Sequence, residues 1–279
     1  MHMRRGAGSH NGAQMASTPG ATDDVAFEMT LEDLEPLAGM RPTTLAVTQR
    51  GKDNSAGGGL TRGARALSPT GRRGETLLEH FRRVYLSTQP LDSLDVSPAL
   101  GVTSALSGEG RTTVATGISA VMAMDLDVPV VLVEVDLAHP GLHRALGIAP
   151  EPGISEYLRG ECEVATAVRQ ISDRLFVLPA GNPRGDAARL IRQLTTADLR
   201  ARLNTSGAVL VFDLPPILDS SYGLLACSMA ESLIFVVRSG QTTNAQVKTA
   251  LGRLDETIVR GLVLNGAEPF LPRWLRPQR

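Results

Sequence analysis

Lysine is nearly missing from this 279-residue chain: Lys52 and Lys248 are the only two, although Lys and Arg together number 28. Almost all positive charge is therefore carried by arginine. Acidic residues number 29 and the formal net charge is -1, so no global field draws the protein to nucleic acid or acidic lipid. There are two cysteines, Cys162 and Cys227. Their spacing fits neither a metal clip nor a disulfide framework, and both fall on segments that read as buried or half-buried, which predicts reduced core thiols in a cytosol. No apolar run approaches the roughly 18 residues of a bilayer-spanning helix, and no apolar leader core follows Arg4 and Arg5. The expectation is a cytoplasmic chain with no nucleic-acid partner and no direct membrane insertion, any membrane association coming through a partner protein.

Residues 1–70 are rich in Gly, Ser, Thr, Ala and Arg without sustained periodicity, and GKDNSAGGG reads as a flexible linker. A tail without regular structure is expected there. The acidic segment from Asp23 to Gly39 spaces Phe27, Met29, Leu31, Leu34 and Leu37 loosely, as a docking peptide or a transient helix would. From Glu75 the pattern changes, with Leu78, Phe81, Arg82 and Tyr85 at helical intervals before Pro90. Apolar strand runs then alternate with helix patterns: GVTSA, PVVLVEVD, RLFVLPAG, AVLVFD, SLIFVVRSG and IVRGLVLNG are the strands. Helices are predicted to about Met124, through Arg189 to Leu203, around Leu224 to Met229 and from Gln241 to Glu256, with an unassigned segment containing GISEYLRG after the second strand. This is an α/β pattern, a mostly parallel sheet with helices on both faces over residues 71–266, with 267–279 as a short C-terminal tail.

Ligands of such sheets bind at the carboxyl ends of the strands. The first of those ends, SALSGEGRTT, runs from an apolar strand through a glycine loop straight into a helix. Gly108 and Gly110 let the main chain approach a ligand closely, and the loop amides with the positive end of the helix dipole suit a di- or triphosphate. A Walker loop would place lysine at the next position, followed by Ser or Thr for Mg²⁺, whereas this chain has Arg111, Thr112 and Thr113. A broad planar fork does not replace a compact ammonium without consequence.

Further acids stand at later strand ends. Glu134 and Asp136 alternate so as to face one side, where they could hold Mg²⁺ through water or orient a nucleophile. Asp213 ends VLVFD before Pro215 and Pro216 turn the chain, the pattern of a Walker B acid that holds a metal-bound water near a γ-phosphate. His139 and His143 are four apart, but Pro140 and Gly141 between them argue against a continuous helical metal face.

With these motifs in place, residues from about 75 to 266 resemble the bacterial tyrosine kinase family, the CpsD/CapB-type P-loop NTPases of capsule and exopolysaccharide synthesis, related to partition and septum-site ATPases. SALSGEGRTT resembles the family's Walker A loop and VEVDLAHPGLHRALGIAPEPGISEYLRGE its A′ motif and following loop. LPAGN, FDLPPILDSS and LNG match the later loops. The resemblance implies ATP or ADP with Mg²⁺ as cofactors. It implies phosphate and Mg²⁺ contacts by Gly108, Glu109, Gly110, Arg111, Thr112 and Thr113, with Asn265 beside adenine. Arg111, Glu134, Asp136 and Asp213 would be catalytic, and Thr112, Glu134 and Asp213 would serve the metal.

By the same resemblance the partner is a membrane polysaccharide co-polymerase that regulates chain length. Glu79 and Arg82 match the family's oligomerisation helix, but Tyr85 stands where its last arginine would be. Homo-oligomerisation and a plain amphipathic helix both fit. Other departures are Arg111 for lysine, Glu134 for the first aspartate of A′, and Ala138 and His139 where two arginines are common. The C-terminal tail has no tyrosine, so a phosphoacceptor would be a protein in trans. Three readings stand: a tyrosine kinase with weakened motifs, a catalytically inactive nucleotide-binding scaffold, and a partition or positioning ATPase.

Overall fold

The computed structural model describes residues 43–47, 72–88, 99–196 and 207–267. Its strands are β1 (Thr43–Val47), β2 (Ala99–Ser104), β3 (Val130–Glu134), β4 (Arg169–Gln170), β5 (Leu175–Leu178), β6 (Val209–Asp213), β7 (Ser232–Arg238) and β8 (Val259–Asn265). They form one sheet in the order β1, β8, β7, β2, β6, β3, β5, β4. Every pair is parallel except β4 with β5. Chain order reverses about the centre: β3 lies on the far side of β6 from β2, whereas β7 lies on the other side of β2. The carboxyl ends of β2, β6 and β3 therefore meet at a topological switch point, the place where such sheets bind ligands.

The helices are α1 (Arg72–Thr88), α2 (Arg111–Asp125), α3 (Leu142–Leu146), α4 (Ile154–Leu158), α5 (Val164–Ala167), α6 (Ala187–Thr196), α7 (Gly223–Cys227) and α8 (Asn244–Leu251). Strand side chains alternate between two cores, as the pleat requires. Leu210 and Phe212 of β6 pack with Ile154 of α4, Ile191 of α6, Cys227 of α7 and Val247 of α8. Val209 and Val211 pack with Phe81 and Tyr85 of α1, Ile118 of α2 and Leu146 of α3. Helices thus cover both faces, as the apolar runs predict. The contact of α1 with α2 is close: a Cβ on Gly117 would run into the Phe81 ring.

Several elements differ from the sequence reading, and three of the differences are informative. Thr43–Val47 is a strand inside the stretch expected to lack regular structure. TTLAV is short, β-branched and apolar, and it pairs along β8. The rest of 1–70, including the segment from Asp23 to Gly39, lies outside the described residues, as do 197–206 and the tail from 268. Helix α8 is shorter than Gln241 to Glu256: the Thr243 hydroxyl accepts the Gln246 N–H at 3.3 Å and Gly252 closes the helix. Finally, β3 stops at Glu134, so strand alternation no longer governs Asp136.

Candidate nucleotide-phosphate site

The loop between β2 and α2 turns through two glycines in left-handed conformation, Gly108 at φ 81° and Gly110 at φ 95°. At Gly110 a Cβ would strike the Asn265 side chain, so only glycine fits. Gly110 has no side chain to cap α2, and the first intrahelical bond runs from the Val114 N–H to the Gly110 carbonyl at 3.0 Å. The amides of Arg111, Thr112 and Thr113 are thus the uncapped donors of a 15-residue helix, a positive end suited to an anion.

Residues the sequence reading counted as ligand contacts hold this loop in shape. The Glu109 carboxylate is buried and turned inward. Its Oε2 accepts the Leu106 N–H at 2.5 Å, and its Oε1 accepts the Arg238 N–H at 3.1 Å and the Thr242 hydroxyl. Asn265 Nδ2 donates to the Glu109 carbonyl at 2.8 Å, so this side chain, expected beside adenine, braces the loop from beneath. On the other flank, the Ser107 N–H donates to Asp219 Oδ2 at 2.7 Å and the Thr103 hydroxyl to the Pro215 carbonyl at 2.9 Å. Thr242 and Asp219 were not singled out from sequence. A carboxylate inside a phosphate loop was the available signal, because Glu109 would repel a phosphate unless its side chain turned away.

Arg111 opens α2 and folds back into the loop. Nη1 donates to Ser104 Oγ and to the Leu106 carbonyl, both at 2.8 Å, and Nη2 pairs with Asp136 Oδ2 at 3.0 Å. Only 10% of its side chain is exposed, and Nε, also buried, has no acceptor among the described residues. Asp136 Oδ1 accepts the His139 N–H at 3.3 Å, which ties the loop after β3 to the same pair. Tyr222 reaches this loop as well. Its phenol bonds to Ser220 and the Ala138 backbone, and burial followed by the charge of Asp136 raises its pKa.

Glu134 and Asp136 take different partners. Glu134 is buried, with Oε1 accepting the Gly141 and Leu142 N–H groups at 2.5 and 2.7 Å and Oε2 accepting the Ala180 N–H at 2.9 Å. All three donors are backbone amides, so the carboxylate fastens the start of α3 to the loop after β5. Asp213, beside Glu134 in the sheet register, is different. Its Oδ1 is buried without a hydrogen-bond partner among the described residues. Burial pushes the carboxyl up to about 7, against the lowering effects of the Thr112 hydroxyl and the Arg111 charge, while Glu134 and Asp136 raise it further. An orphaned buried carboxylate oxygen beside a helix-start hydroxyl fits Mg²⁺, and Thr112 with Asp213 are the residues that would hold it. Among the described residues no group of three His, Cys, Asp or Glu side chains is arranged for a metal.

Over 169 residues the chain is 27% identical to the tyrosine-protein kinase YwqD of Bacillus subtilis, covering 59% of this chain and 70% of that one. The chain is a divergent relative of bacterial tyrosine-protein kinases. It is also 27% identical over 199 residues to the succinoglycan biosynthesis transport protein ExoP of Rhizobium meliloti, which covers 68% of this chain but 25% of ExoP. The chain thus spans only a quarter of that longer relative.

Among solved structures, the kinase domain of the Escherichia coli tyrosine kinase ETK superposes with a TM-score of 0.67 at 20% identity, covering 88% of this chain and 99% of that one. The septum site-determining protein MinD of Pyrococcus horikoshii, solved with Mg-ADP, superposes with a TM-score of 0.51 at 19% identity over 61% of this chain and 70% of that one. These fix the P-loop NTPase fold. No protein-family model matches the chain.

The residues compared above with an oligomerisation helix have partners within the chain. Arg82 Nε and Nη2 clasp the Asp125 carboxylate at 2.6 and 2.8 Å, and Nη1 reaches Glu79 at 3.2 Å. Tyr85 is buried in the core. This helix face packs on α2. No described helix is long and apolar enough to cross a membrane.

Proposed function

We propose that the chain binds ATP and ADP with Mg²⁺ at the β2–α2 loop and serves as a tyrosine-kinase-type P-loop protein in the control of exopolysaccharide synthesis and export. The observation that carries this is the bare start of α2, framed by Gly108 and Gly110, with Arg111 and Thr112 beside the unpartnered Asp213 oxygen. The amides from Gly108 to Thr113 and the Arg111 guanidinium bind phosphate oxygens. Thr112 and Asp213 would hold the cation, which when bound would supply screening of the phosphoryl charge. Asp136 holds the Arg111 guanidinium and accepts the proton of an acceptor hydroxyl. Glu134 organises the fold around the site, and Glu109 and Asn265 keep the loop preformed. The acceptor is a tyrosine on another protein. The partner is a membrane polysaccharide co-polymerase that recruits this cytoplasmic chain to the membrane, as the relationship to ExoP suggests.

A second reading rests on the Arg111–Asp136 pair. With Asp136 held by a guanidinium and Glu134 held by three amides, the site could bind nucleotide without turnover and act as a scaffold. Incubation with MgATP and a tyrosine-containing acceptor, read by phosphotyrosine and ADP release, separates the two. Transfer lost in Asp213→Asn supports the kinase. Nucleotide binding with neither product supports the scaffold.

A further inference from the structure

Arg111 looks, from sequence, like a damaged Walker lysine, but its surroundings are shaped for a guanidinium. Three acceptors are spread over both terminal nitrogens, Ser104 Oγ and the Leu106 carbonyl on Nη1 and Asp136 Oδ2 on Nη2. Ser104 Oγ is itself fixed, donating to the Leu106 carbonyl at 2.7 Å. Asp136 is steadied by the His139 N–H. A lysine has one nitrogen and could not serve both ends of that arrangement.

Of the two remaining donors, Nε–H matters more. Arg111 Nε–H is buried without an acceptor among the described residues, in a side chain about nine-tenths buried on the first residue of the helix that presents three uncapped amides. Nε–H lies on the same edge of the guanidinium as one Nη2–H, and that edge binds two phosphate oxygens side by side. Lysine carries a methylene where arginine carries Nε.

We propose that Arg111 is a dedicated phosphate-binding residue, held by Ser104, Leu106 and Asp136 so that its Nε edge receives a nucleotide phosphate, and that lysine at this position impairs the site. The inference rests on the nucleotide reading above and goes beyond it: the departure from the Walker pattern specifies the ligand contact, with Ser104 and Asp136 as positioning residues.

The test is a titration of wild type, Arg111→Lys and Arg111→Ala with ADP and, separately, with inorganic pyrophosphate. The expected result is an affinity at least about tenfold weaker in Arg111→Lys for both ligands, a change of 1.4 kcal/mol or more. A loss for ADP without a matching loss for pyrophosphate, or an affinity in Arg111→Lys equal to or tighter than wild type, overturns the inference and leaves nucleotide binding standing. Failure of wild type to bind ADP or ATP removes the nucleotide reading and the inference with it. Should the variants fail to fold, ¹⁵N-arginine-labelled wild type decides. The Arg111 Nε–H resonance moves downfield and exchanges more slowly with pyrophosphate, and an unmoved resonance at saturation overturns the inference.

Discussion

Replacing Glu134 with glutamine separates a structural carboxylate from a catalytic one. Glu134 Oε1 accepts two amides, Gly141 and Leu142, and Oε2 accepts a third, Ala180. Glutamine keeps one acceptor oxygen for the pair at α3 but turns its NH₂ group toward the Ala180 N–H. Leaving that buried amide unpaired costs about 1–3 kcal/mol, and removing the charge weakens each of the other two bonds by about 1 kcal/mol. The expected loss is roughly 3–5 kcal/mol, a large share of the 5–15 kcal/mol typical of a folded domain. Glu134→Ala, which orphans all three amides, should lose more. Urea unfolding followed by circular dichroism reads both values at constant m. A Glu134→Gln variant within about 0.5 kcal/mol of wild type would refute the reasoning and return Glu134 to the catalytic acids.

Other predictions follow from single contacts. The Asp213 carboxyl, near 7 in the fold against 3.8 ordinarily, binds more protons folded than unfolded between about pH 4 and 7. Stability should therefore fall as pH rises through that window, by up to about 4 kcal/mol, and Asp213→Asn should flatten the fall; parallel unfolding curves for the two proteins would exclude it. Gly117→Ala should cost about 1–3 kcal/mol through its clash with Phe81, and Phe81→Leu in the same chain should recover part of that loss in a double-mutant cycle. Asp125→Ala breaks a partly exposed pair with Arg82 and should cost no more than about 1 kcal/mol, the difference shrinking in high salt.

The parallel α/β architecture was legible because its central strands are uninterrupted apolar runs, buried on both faces and bounded by glycine, proline or acid. The phosphate loop was legible for a similar reason, since Gly108 and Gly110 leave few alternatives to a tight turn before a helix. Side-chain direction was not legible. Alternation predicted a shared face for Glu134 and Asp136, but β3 ends at Glu134 and the chain then turns, sending one carboxylate to α3 and the other to Arg111. Glu109 and Asn265 were read as ligand contacts from their motifs, yet their partners, Thr242, the Arg238 N–H and the loop itself, are brought near only by the sheet order. The strand Thr43–Val47 was missed because five residues in a Gly- and Ser-rich stretch give too short a signal without the edge of β8 to pair with.

The central claim is that the β2–α2 loop holds nucleotide phosphates, and calorimetric titration of MgADP into the full chain tests it most directly. The account predicts saturable one-site binding that Arg111→Glu abolishes by placing a carboxylate among the phosphates. No saturable heat from wild type at millimolar MgADP, or an Arg111→Glu variant that binds as tightly as wild type, would contradict it.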